Sequence, residues 1–212
     1  MNEHLNSIQQ PSSHLSREIA AAAAIFIADH GLDYGQAKRK AFEQVLGTGN
    51  KARDAMPDNG LIDDALFEHL ELFDANHSAR VRRMRAVALN VMRELASFEP
   101  MLTGAVWKGI VADHVPIHIQ TFSDNPKEVG FALLNLGIDY DPVELPHFKD
   151  GGTTEGMTMH WQNEPIMISL YDLIDQRGAL KQKVASGQRA GLPKRGSIQA
   201  VESLLEQTNT EK

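Results

Sequence analysis

The sequence predicts an α+β fold: a helical N-terminal region and C-terminal helices around one small mixed or antiparallel sheet. Three observations carry this. Apolar residues recur at helical spacing from Leu15 to Phe98. Between Met101 and Tyr171 the apolar runs shorten and begin to alternate. From Gln176 onward the chain is basic and again helical in pattern. The expected divisions are a helical region over 1–98, an α/β core over 99–175 and a basic helical segment over 176–212.

A chain of 212 residues, 42% hydrophobic, suffices for one core or for an α/β domain with a helical extension. No apolar run approaches the roughly 18 residues of a membrane span, so no membrane partner is expected. Ile19–Ala28 is more than half alanine and too short to cross a bilayer. Met1–Gln10 has neither the basic start nor the cleavage site of a secretory signal. Cysteine is absent, which excludes disulfides, thiolate metal sites and cysteine nucleophiles and fits a cytoplasmic setting. A net charge of −7 and 6% aromatic content argue against nucleic acid as a partner, by field and by stacking.

The elements follow in order. A helix is expected from Leu15 to His30, with Ser13 as N-cap and Gly31 as stop. Asp33 with Gln36 has the form of a capping box for a second helix, which Gly47 ends. A third covers Leu61–Phe73. The fourth and longest runs from Ser78 to Phe98, with Val81, Met84, Ala88, Val91 and Leu95 on one side and Pro100 after it. Met101–Val106 and Val115–Phe122 read as strands around a glycine-bearing turn. In the second, His118, Gln120 and Phe122 alternate with Ile117, Ile119 and Thr121. Pro126 opens a further helix that Gly137 closes. Asp141–Gly156, rich in Gly, Pro and acid, reads as a loop. Thr158–Trp161 and Pro165–Tyr171 read as a hairpin joined by Gln162-Asn163-Glu164. Two C-terminal helical pieces are separated at Gly191-Leu192-Pro193.

The stretch LTGAVWKGIVADHVPIHIQTF, residues 102–122, carries a resemblance. From Gly104 to Ile119 it resembles the signature of the nucleotidyltransferase fold, the polymerase-β-like superfamily. That signature has Gly-Ser at a strand end and Asp-x-Asp about a dozen residues on. Here Gly104-Ala105 stands in place of Gly-Ser, and Pro116-Ile117-His118 in place of Asp-x-Asp, without a gap. With LLNLGIDY after it, the run is also similar to a group of bacterial nucleotidyltransferase-like proteins with helical N-termini. The resemblance implies a sheet of nucleotidyltransferase type and a site for Mg²⁺ with a nucleoside triphosphate. In such enzymes strand carboxylates hold the metal, which neutralises the phosphates and aligns the attacking group. Proline brings no ligand, imidazole suits softer metals, and alanine lacks the hydroxyl. Glycine still admits a phosphate close to backbone.

The leading expectation is therefore a nucleotidyltransferase-like protein with a degenerate metal site. It would be a nucleotide- or partner-binding, regulatory module, with Gly104, Ala105 and Lys108 against a nucleotide. One alternative is an active transferase with displaced ligands Asp113, His118 and Glu155. Another is a structural protein that docks through apolar helix faces.

Other constellations have plainer readings. Asp113, His114 and His118, with His147 and His160, offer imidazoles for zinc or iron, but the spacing is not diagnostic. Arg80, Arg82, Arg83, Arg85 and Arg93 on the fourth helix suit phosphate contacts or, more simply, a solvated face paired with acids of the preceding helix. Lys181, Lys183, Arg189, Lys194 and Arg195 read as a mobile arm able to clamp phosphate or an acidic partner, or as a loosely packed end. No Walker A, dinucleotide or nucleophile-elbow motif occurs.

Overall fold

The computed structural model describes residues 11–49, 53–113, 115–148, 152–178 and 193–210. They divide between Ala75 and Asn76 into two compact units.

The first unit holds α1 (Pro11–His30), α2 (Tyr34–Leu46), a 3₁₀ turn (Arg53–Ala55) and α3 (Asn59–Phe73). Ile19, Ala20 and Ala23 of α1 meet Ala37 and Ala41 of α2, Ala55 and Ile62 in one buried cluster. The small side chains let the helices approach closely. Ser13, the expected N-cap, lies inside α1, which starts at Pro11, a residue favoured at the first helical position. Asp33 caps α2 as expected: its Oδ1 accepts from the Gln36 amide at 2.8 Å, worth roughly 1 kcal/mol. The expected stops Gly31 and Gly47 both take positive φ. The Tyr34 hydroxyl donates to the buried Asp63 carboxylate. Burial, and then the Asp63 charge, pushes the Tyr34 phenol far above its usual range.

The second unit runs α4 (His77–Glu94), a 3₁₀ turn (Ala96–Phe98), β1 (Met101–Thr103), α5 (Gly104–Lys108), β2 (Ile117–Phe122) and α6 (Lys127–Asn135). It continues with β3 (Asp141–Pro146), β4 (Thr153–Trp161), β5 (Glu164–Tyr171), α7 (Leu173–Gly178), β6 (Arg195–Gly196) and α8 (Ile198–Thr210). The division thus falls before α4, not near Glu99-Pro100. The reason is the α4 stripe: Val81, Met84, Ala88, Val91 and Leu95 are buried in the same core as the strands.

The fold is α+β with a mixed sheet ordered β3-β4-β5-β2-β1-β6. Among these strands only β2 and β5 pair in parallel. Two local expectations change. The strand expected over Met101–Val106 ends at Thr103, because Gly104 at φ +70° turns the chain into α5. The loop expected over Asp141–Gly156 contains β3 and the start of β4. Pro142 and Pro146 obscured β3, and its place at the sheet edge tolerates them. The hairpin forms as expected. Gln162 and Asn163, at φ 50° and 66°, make the two-residue turn whose twist suits antiparallel strands.

Register assigns each side chain to a face. Leu102, Ile117, Ile119, Met157, Met159, Ile166, Ile168 and Leu170 point into a core shared with α4, α6 and α8. Thr103, His118, Gln120, Phe122, Met167, Ser169 and Tyr171 take the opposite face.

Strand β6 is held at the far edge by β1 and by Trp107 of α5. The indole Nε1 donates to the Pro193 carbonyl at 2.6 Å, and the Thr103 hydroxyl donates to the Lys194 carbonyl at 3.1 Å. The Trp107 ring rests on Gly196, where an added Cβ would stand 2.2 Å from the nearest ring carbon. Gly196→Ala should therefore destabilise the fold by roughly 1–3 kcal/mol through overpacking. Thermal melting followed by circular dichroism reads this as a lowered Tm. An unchanged Tm would mean the ring does not bear on that position.

Candidate functional site

The site is built where β1, α5, β2 and β5 meet. Gly104 ends β1, and only 3.6 Å separates the Cβ it lacks from His118 Cβ on the neighbouring strand. Ala105 lies in the first turn of α5, and Lys108 is its half-buried last residue. Arginines of α4 fix this short helix. Arg85 donates to the Val106 and Trp107 carbonyls at 3.1 and 2.9 Å, satisfying groups that a helix C-terminus leaves open. Arg80 donates to the Val111 carbonyl at 2.9 Å. Arg83 and Arg93 pair with Glu164 and Glu202. The arginine row of α4 thus serves, at these four positions, to bind the second unit together.

His118 projects from β2 toward β5, where its Nε2 lies 2.7 Å from the Ser169 hydroxyl. Which of the two donates depends on the tautomer. Burial lowers the His118 pKa from its ordinary 6.5, so the ring is neutral near pH 7. Ser169 is fully buried and His118 has no carboxylate partner among the described residues. The pair therefore lacks both the exposed nucleophile and the orienting acid of a hydrolytic triad.

The expected catalytic set does not converge. Asp113 is exposed beyond α5 and turns to Arg80 Nη1 at 3.3 Å. Glu155 lies on β4, two strands from β2. Gly156 pairs with Ser169, so Glu155, one residue out of phase, points to the opposite face from His118. There it stands across from Glu144 at an open cleft of about 680 Å³ lined by Phe131, Tyr140, Met157 and Leu170. His114 lies outside the described residues. His147 Nε2 is 3.2 Å from Asp175 Oδ2, and His160 is exposed at the end of β4. No group of three or more His, Asp or Glu side chains able to hold a metal occurs among the described residues.

The face that carries His118 holds groups that sequence reasoning did not assign to it. Tyr171 stacks on Phe122, with ring centroids 5.8 Å apart. Burial raises the Tyr171 pKa; hydrogen bonds from Ser169 and the Phe148 backbone and the Arg195 charge oppose this, and Asp175 adds to it. Arg195 reaches in from β6. Its Nη1 donates to Gln120 Oε1 at 3.3 Å and its Nη2 to the Gln176 carbonyl at 2.8 Å. Its guanidinium carbon lies 5.1 Å from the Phe122 ring centre, a cation–π contact worth roughly 0.5–2 kcal/mol. Of the basic segment expected as a mobile arm or loose end, Lys181, Lys183 and Arg189 lie outside the described residues, and Arg195 sits on a strand with a fixed side chain.

Comparison with protein families, curated proteins and solved structures returned no match. No helix among the described residues is long and apolar enough to cross a membrane.

The neutral His118 has a consequence for stability. The folded state holds the ring unprotonated where the unfolded chain would take up a proton near pH 6.5 and below. Stability is therefore lost as pH falls through that value. Between about pH 7.5 and about pH 5, the wild-type Tm should drop further than that of His118→Gln. Equal drops would show that this ring contributes nothing to the dependence.

Proposed function

We propose that this chain is a nucleotidyltransferase-like protein with a degenerate metal site. It binds a nucleotide or a protein as a regulatory module and does not transfer a nucleotidyl group. The observation that carries the reading is the path strand–glycine–helix–strand over residues 101–122, which brings Gly104 against His118. The resemblance of this stretch asks for carboxylates at positions 116 and 118. Proline and a neutral histidine stand there, and the buried neighbour on β5 is a serine, which is no ligand for a hard cation on its own.

A transferase with displaced ligands has less support, because Asp113 and Glu155 are turned away from His118. A cytoplasmic setting, suggested by the lack of cysteine, belongs to the same proposal.

Titration calorimetry with ATP, GTP, CTP and UTP tests the reading. At least one should bind, with an affinity that changes little when Mg²⁺ is withheld, and labelled triphosphate should not be transferred to protein or RNA. Heat from none of the four removes the nucleotide and leaves only a protein partner. Transfer of label that Asp113→Ala abolishes would restore the enzyme.

A further inference from the structure

Arg195 is held more firmly than it is satisfied. Its backbone pairs with Thr103 of β1, and Trp107 and Thr103 clamp the residues just before it. Its side chain lies over Phe122. A guanidinium carries five N–H donors. Two bonds are made, one to Gln120 Oε1 and one to the Gln176 carbonyl, and five less two leaves three donors without a protein acceptor among the described residues.

Both acceptors are neutral, so no carboxylate balances the cation among those residues. The acid beside this cluster, Asp175, is engaged by His147. The remaining polar groups of the face, His118, Ser169 and Tyr171, are neutral, and the Thr103 hydroxyl is already donated to the Lys194 carbonyl. Burial lowers the Arg195 pKa, which registers the cost of a cation withdrawn from water without a counter-ion. Arg195 is only partly buried.

We propose that Arg195 is the anion-recognising residue of this chain, receiving the phosphoryl oxygens of a ligand on the sheet face that carries His118. A planar fork of fixed orientation suits two oxygens of a phosphate better than a point charge does. The assignment rests on the nucleotide reading in one respect: the phosphoryl group is taken to be that of a nucleoside triphosphate.

The test uses the full chain, with tripolyphosphate and ATP as separate calorimetric titrants and adenosine as the phosphate-free control. Tripolyphosphate should bind the wild type, and adenosine should bind at least tenfold more weakly than ATP. Arg195→Gln should weaken tripolyphosphate at least tenfold, and Arg195→Lys should fall between. Because Arg195→Gln also removes the stacking on Phe122, Gln120→Glu provides a second arm. It gives the guanidinium a carboxylate in place and should abolish anion binding while the Tm holds or rises.

No heat from tripolyphosphate on the wild type, or undiminished heat in a folded Gln120→Glu, overturns the assignment. ATP binding that all three variants retain overturns it while leaving the nucleotide reading intact. Tripolyphosphate binding that depends on Arg195, with no nucleotide bound more tightly, upholds the assignment and removes the nucleotide reading.

Discussion

The parallel contact of β2 with β5 is the constraint from which the second unit follows. Residues 117–122 lie against 166–171 in unbroken register. Parallel neighbours need a long crossover, and here it contains α6, β3 and β4. Strands so placed are covered on both faces, and ten of these twelve positions are buried. The pairing sends Ile117, Ile119, Ile166 and Ile168 toward α4 and α8. In doing so it commits His118, Gln120, Ser169 and Tyr171 to the other side.

That second face is buried at Gln120, Phe122, Ser169 and Tyr171 and partly buried at Thr103, His118 and Met167, which sets its chemistry. A histidine withdrawn from water sheds its proton, a tyrosine keeps its own, and a serine between strands becomes a hydrogen-bond relay rather than a nucleophile. Every partner bond on this face becomes stronger and more directional in such a setting. Hard divalent cations need oxyanions, and the strand positions facing His118 supply neutral groups instead. Anions need fixed donors, and Arg195 supplies those.

The edge of the sheet explains why Arg195 is fixed. Strand β6 has only two residues and would not hold by ladder bonds alone. The glycine at 196 admits the Trp107 ring, and the ring carries an N–H that reaches Pro193. Arg85, from α4, holds the end of the helix that bears Trp107. A chain of ordinary packing contacts thus runs from α4 to a single guanidinium. The arginine row of α4 has a structural role at four of its positions, as clamps on α5, on the loop beyond it and on neighbouring elements.

The sequence by itself determined the α+β class, the helices with clear stripes, the cap at Asp33, the hairpin at Gln162-Asn163 and the alternation that puts His118 and Gln120 on one face. Those are local properties: spacing, capping chemistry and glycine or proline at turns. It did not reveal β3, because two prolines interrupt the pattern and only an edge position forgives them. It did not reveal that Glu155 faces away from His118, since phase between strands exists only once they pair. It misplaced Arg195 for the same reason, as a two-residue strand has no period to read and takes its conformation from β1 and Trp107. Tertiary structure alone decided which residues share the site, because pairing and register are set by burial between segments far apart in the chain.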